Sequence, residues 1–283
     1  MVRRKAMWAG VLGLVLSVAF VCVGTAQTDT PLETLSKLRK EHGVETVPAE
    51  DVAVNGFRME PGAKIGGFVV VGVRYCSDLQ GVEYRFAREV SDGNEGRAKN
   101  EPKAGMVAEV RVHRDRREAI DHILRNSLGY ATRPRRGNNN DQNDIGDLSF
   151  CSQSGILNFA KANVTILLVP SGLAGAEIDN FGRLMSAAID AACVRGAKVA
   201  RVPEVRVAFK ALPKQDDQQS CLVSLTVPEG LDFRWRVITP AGIAETGKNE
   251  VTVQWREGQK PVQIRADVVT REGFVYTRYH SVE

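Results

Sequence analysis

The segment Asn138-Asn139-Asn140-Asp141-Gln142-Asn143-Asp144-Ile145-Gly146-Asp147 puts carboxylate and amide oxygens on one short stretch. That is what a hard cation such as calcium requires, and Asp141, Asn143, Asp144 and Asp147 are the candidate ligands. The register is not that of an EF-hand, because Ile145 falls where a fifth-position oxygen belongs and Ser152 where the bidentate Glu belongs. Asn and Asp also favour turns through hydrogen bonds to their own backbone, so a solvated loop competes with the calcium reading. Just upstream, Arg133-Pro134-Arg135-Arg136 is a compact basic cluster, suited to an acidic partner or simply to water.

The other reactive residue types do not assemble into a known catalytic pattern. His113-Arg114-Asp115 has the letters of a kinase catalytic loop without its glycine-rich loop, strand lysine or Asp-Phe-Gly. His113 and His122 are nine positions apart, not the one-turn spacing that sets two imidazoles on one metal. Ser152-Gln153-Ser154-Gly155 lacks the leading glycine of a nucleophile elbow. Gly172-Leu173-Ala174-Gly175 precedes a helix but lacks the further glycine of a dinucleotide fingerprint. No catalytic residue and no cofactor is therefore assigned, calcium aside.

The residues able to position such groups fall into two kinds of pattern. Pro31, Leu32, Leu35 and Leu38, ending at Gly43, predict a short amphipathic helix. Strands are expected at 67–75, 82–87 and 106–112, followed by a helix from Asp115 to Leu128. The order then recurs, with strands at 148–150, 156–159 and 164–169 and a helix from Gly175 to Cys193. The expectation is an α+β fold of two βββα-like halves, an antiparallel sheet backed by both helices on one face. After Pro203 the helical period stops, and six short alternating runs between Val205 and Tyr279 predict an all-β sandwich.

Arg3, Arg4 and Lys5, the apolar run Met7 to Val23 and the small residues Gly24-Thr25-Ala26 form a signal-peptide pattern, so export to the periplasm, cell surface or extracellular space is expected. Cleavage would follow Ala26. If the run were kept, it would be the only membrane anchor. The formal charge is +4, from 38 basic and 34 acidic residues, and three of the basic ones stand in the leader. The remainder is near neutral, which argues against a nucleic-acid partner. Domains are expected at 27–64 (a helix and an extended lead-in), 65–200 (α+β) and 204–283 (sandwich). In an oxidising compartment Cys76, Cys151, Cys193 and Cys221 are disulfide candidates, with three connectivities open. Cys76 and Cys151 each follow the first strand of their half and would meet if those strands were neighbours.

Phe233-Arg234-Trp235-Arg236-Val237, then Pro240 to Gly247, then Val251-Thr252-Val253-Gln254-Trp255 pair a strand Trp with a Gly-containing turn and a strand ending in Trp. In this the C-terminal part resembles the PKD-like and immunoglobulin-like β-sandwich domains of bacterial secreted proteins. The resemblance implies a fold and says little of function. It does not extend to an inter-sheet disulfide, since no later strand offers Cys221 a partner.

The leading expectation is a non-catalytic exported protein that presents a surface to a protein or cell-envelope component. The alternatives are a periplasmic sensor of a small ligand or calcium, and a hydrolase with an unrecognised site. A polar pocket in 65–200 holding carboxylates or histidines would favour binding or catalysis, and a flat face with exposed aromatics a contact role.

Overall fold

Alternating residues become strands through most of the chain. The computed structural model describes residues 31–44, 52–89, 105–127, 132–134, 145–152, 154–197, 199–215, 218–239, 242–245, 248–256 and 263–282. The leader 1–26 and the candidate ligands Asp141, Asn143 and Asp144 lie outside them. In order, the elements are α1 (Pro31–Glu41), β1 (Val52–Ala53), β2 (Lys64–Ile65), β3 (Phe68–Tyr75), β4 (Val82–Arg88), β5 (Gly105–Val112), α2 (Arg116–Ser127), β6 (Thr132–Pro134), β7 (Leu148–Ser152), β8 (Leu157–Lys161), β9 (Val164–Ser171), α3 (Gly175–Ala192) and β10 (Val194–Arg195). The C-terminal part follows with β11 (Arg206–Gln215), β12 (Gln218–Thr226), β13 (Phe233–Thr239), β14 (Gly242–Glu245), β15 (Glu250–Arg256), β16 (Gln263–Thr270) and β17 (Val275–Ser281).

Among the described residues, with 51% strand and 19% helix in several antiparallel sheets of which one is a curled half-barrel, the structure is mainly β. The expected α+β class built from two βββα halves is overturned. The strands of the two stretches merge into one eight-stranded sheet, ordered β2-β3-β4-β5-β9-β8-β7-β6. Its centre is the antiparallel pair β5 and β9, in register from Gly105↔Ser171 to Val112↔Val164. The helices do not share a face either. β8 buries Leu157 and Phe159 on one side and Ala160 on the other, so apolar surface must be covered on both sides of the sheet. On one side Ile178, Phe181, Met185 and Ile189 of α3 join the core of Leu157, Phe159, Ile166 and Leu168. On the other, Ala119, Ile120, Ile123 and Leu124 of α2 pack on Leu148, Phe150 and Ala160. α1 lies on α2, where Arg39 Nε donates to Asp121 Oδ1 at 2.8 Å and Leu35 enters the same cluster.

This placement shapes the site. α2 follows β5 in the chain but packs on β8 and β9, so it leaves its side of β3, β4 and β5 largely uncovered. That side carries Arg74, Glu83, Arg85, Glu109 and Arg111, the polar members of the alternation.

The C-terminal strands form two sheets, β11-β12-β15 and β14-β13-β16-β17. Between them lie Cys221, Val223, Leu225, Trp235, Val237, Ile264, Ala266 and Val268. The β16–β17 turn reaches into the larger sheet, where Phe274 joins the main core and pairs in parallel with Val112. The Val112 N–H donates to the Gly273 carbonyl at 2.9 Å, and the Phe57 N–H donates to the Glu272 carbonyl at 3.0 Å. Arg236 and Asp267, both buried, stand 3.4 Å apart at this junction, and Arg236 Nη1 donates to the Ser77 carbonyl at 3.0 Å.

No two cysteines among the described residues stand at disulfide distance. Four strands separate β3 from β7, so the strands that lead to Cys76 and Cys151 are not the neighbours a bridge between them would need. Cys193 packs at the edge of the larger core, whereas Cys221 is 2% exposed inside the sandwich.

Candidate functional site

Cross-strand pairing lines up one row of side chains, polar except at Leu167. Arg74 on β3 faces Glu83 on β4, Glu83 faces Glu109 on β5, Glu109 faces Leu167 on β9, and Leu167 faces Asn158 on β8. One step along, Arg111 faces Thr165. α2 hangs His122 and Asn126 over this surface, and the β3–β4 turn adds Asp78 and Gln80. Together they enclose a cavity of about 270 Å³.

The turn is held in an unusual conformation. Leu79 has φ +50°, a left-handed value that a branched side chain adopts only under constraint. Burial of Leu79 in the main core supplies the constraint, with its N–H on the Cys76 carbonyl at 2.9 Å. From the sandwich, Arg236 holds the Ser77 and Asp78 carbonyls. Gly81 completes the turn, since a Cβ there would lie 2.6 Å from the Val110 carbonyl oxygen.

The two facing carboxyls sit in opposite environments. Burial works against ionisation of Glu83, but hydrogen bonds from Arg74 Nε and Nη2 at 2.7 Å and Arg85 Nε at 2.8 Å outweigh it and hold the carboxyl below its ordinary range. Glu109 makes no hydrogen bond or ion pair among the described residues. Burial, with Asp78 and Glu83 nearby, pushes its pKa up.

Arg111 is the complementary case. Its Nη1 donates to Gln80 Oε1 at 2.9 Å, an uncharged acceptor, and among the described residues it has no ion pair. Burial lowers its pKa, with Glu118, Asp78 and Asp267 acting only through space. Gln80 Nε2 is buried without a partner among the described residues. Asn158 likewise makes no side-chain hydrogen bond among them.

The histidines that the spacing set apart are brought together, with ring centroids 5.0 Å apart. His113 is 7% exposed and shares a 3.0 Å hydrogen bond with Thr165 Oγ1. His122 takes the Asn126 side-chain N–H on Nε2 at 3.0 Å. Burial, aided by Arg111 and Arg125, pushes the His122 pKa down to about 3. Burial, His122 and Arg111 lower that of His113. Both rings are neutral at ordinary pH.

Comparison with protein-family models, with curated proteins and with solved structures finds no match. The site therefore stands on its geometry alone.

Apart from the two histidines, the residues singled out in the sequence lie elsewhere. Of the calcium candidates only Asp147 is described, and its Oδ2 takes the Ala162 N–H at 2.8 Å and pairs with Arg116 Nε at 2.9 Å. No cluster of three metal-ligating side chains occurs among the described residues. Of the basic cluster, Arg133 and Pro134 fall on β6. Ser152 Oγ accepts the Ile156 N–H at 3.0 Å and so closes the turn before β8. Glu177 caps its own helix, accepting the Ala174 N–H at 3.1 Å. Cys76 is buried, which raises its pKa and disfavours the thiolate. Trp235 is 3% exposed, with Nε1 on the Lys248 carbonyl at 2.9 Å, so it offers no aromatic platform.

Glu109 and Arg111 were missed as site residues. Their alternation with Met106, Ala108, Val110 and Val112 puts them on one face, but only the far placement of α2 turns that face into a cavity.

Proposed function

We propose that this is an exported protein that binds a small polar ligand in the cavity between the sheet and α2, with the C-terminal sandwich, a PKD-like or immunoglobulin-like module, as spacer and brace. The observation that carries the reading is the convergence of Glu109, Arg111, His122, Asn126, Asn158 and Thr165 on one enclosure of about 270 Å³. Glu109, Asn158 and the Gln80 Nε2 group, at least half-buried without a hydrogen-bond partner among the described residues, have a cost, and a ligand able to satisfy them accounts for their presence.

A contact surface receives less support. The most exposed large apolar residues, Val71, Ile243 and Tyr279, stand on β3, β14 and β17, with β14 and β17 at opposite edges of their sheet. Apolar residues scattered in this way are ordinary on protein surfaces.

The test is a thermal-shift screen of the purified protein against sugars, carboxylic acids, amines, amino acids and nucleosides. At least one class is expected to raise Tm, as binding to the folded state must. Asn158→Leu, which fills the cavity without adding charge, is expected to abolish the shift. Shifts that survive Asn158→Leu, or no shift from any class, would refute the reading.

A further inference from the structure

Glu109 and Arg111 are two positions apart on β5, so their Cα atoms are about 7 Å apart and their side chains leave the same face. They have opposite charge types, yet they do not pair with each other, and neither meets an opposite charge at contact distance among the described residues. The protein neutralises other charges in this region with care. Glu83 takes two guanidiniums, and Asp267 takes Arg236, Arg265 and Thr277. Of the charged groups that line the cavity, Asp78, Glu109 and Arg111 have no ion pair among the described residues, and of these only Asp78 is exposed to water.

Resting on the cavity reading above, we infer that the ligand is a small zwitterion of the amino-acid type, its carboxylate on Arg111 and its ammonium on Glu109. An arginine fork matches a carboxylate in two parallel hydrogen bonds, and Gln80 already orients the guanidinium through Nη1. An ammonium carries three donors and no acceptor, so it suits Glu109 with Asp78 close by. Asn158 and Asn126 also line the cavity and are the groups available to the rest of the ligand. A purely anionic ligand would leave Glu109 and Asp78 facing negative charge. A neutral polyol would leave Arg111 buried without a counter-ion. Burial, with Asp78 and Glu83 nearby, raises the Glu109 pKa, and an ammonium at contact distance would offset that cost.

The experiment is isothermal titration of the full chain with individual L-amino acids. Alongside each run the matching carboxylic acid without the ammonium, the matching amine without the carboxylate, and mannitol. At least one amino acid is expected to bind, and removing either charged group from it is expected to weaken binding roughly ten- to a hundredfold. Arg111→Met and Glu109→Gln are each expected to cause a loss of that order, with Tm little changed or raised, because each removes a half-buried charge that has no ion pair among the described residues, Arg111 giving up only a hydrogen bond to the neutral Gln80. A merely structural role would lower Tm instead. An acid, an amine or mannitol binding as tightly as the amino acid would overturn the zwitterion while leaving the cavity reading in place. If no small compound binds at all, the cavity reading falls with it.

Discussion

At the residue scale, environment rather than residue type sets the chemistry. Glu83 and Glu109 are the same side chain on adjacent strands, yet two arginines hold one ionised while burial favours the neutral form of the other. The histidines carry a measurable consequence. Burial lowers the pKa of both His113 and His122, the latter to about 3, below the ordinary value of 6.5. As pH falls below about 6.5 the unfolded chain takes up these protons first, so folded stability is full above that value and declines beneath it. The slope is about 1.4 kcal/mol per pH unit for each buried ring that remains neutral. Urea unfolding between pH 7 and 4.5 is expected to show this loss, and His122→Gln is expected to flatten it. A stability independent of pH over that range would contradict the burial of both rings. Little of this was legible in the sequence, because a spacing of nine residues places no two rings together until the strand end at Val112 and α2 have turned back on each other.

At the element scale, the local pattern located much of the secondary structure and little of its assembly. The helix expected from Gly175 to Cys193 runs from Gly175 to Ala192, and that expected from Asp115 to Leu128 runs from Arg116 to Ser127. What alternation does not encode is which strand a given strand will meet. The pairing of β5 with β9 joins residues far apart in the chain, and the two-sided burial of β8 sends α2 and α3 to opposite faces. Both facts depend on long-range packing. Loop geometry is similarly hidden. Gly146, within the run read as a calcium loop, has φ +72°, and a Cβ there would meet the Ala160 carbonyl oxygen at 2.3 Å. Gly146→Ala is expected to destabilise the protein by about 2–4 kcal/mol, from left-handed strain plus a clash with backbone that cannot move aside. Chemical denaturation would measure it, and a change under about 0.5 kcal/mol would contradict the close approach. Gly146 therefore has a structural role beside β8.

At the scale of the whole molecule, the sandwich is joined to the larger sheet by more than a linker. Phe274 completes the main core, Tyr276 Oη donates to the Pro203 carbonyl at 2.8 Å, and Tyr75 Oη donates to Asp232 Oδ1 at 2.6 Å. Arg236 grips the turn that carries Asp78 and Gln80, so the C-terminal module braces one wall of the cavity. The six short alternating runs fell on six of the seven C-terminal strands, and β14 (Gly242–Glu245) lies in the stretch read as a turn. The brace was illegible, because Arg236 reads in sequence as an ordinary polar residue between Trp235 and Val237. Whether ligand binds under α2 is read by hydrogen–deuterium exchange of the full chain, with and without the compound that gives the largest thermal shift. Slowed exchange is expected in α2 and in the β3–β4 turn, with the outer strands β11 and β15 of the sandwich unchanged. Protection confined to the sandwich, with α2 and that turn unaffected, would contradict binding under α2.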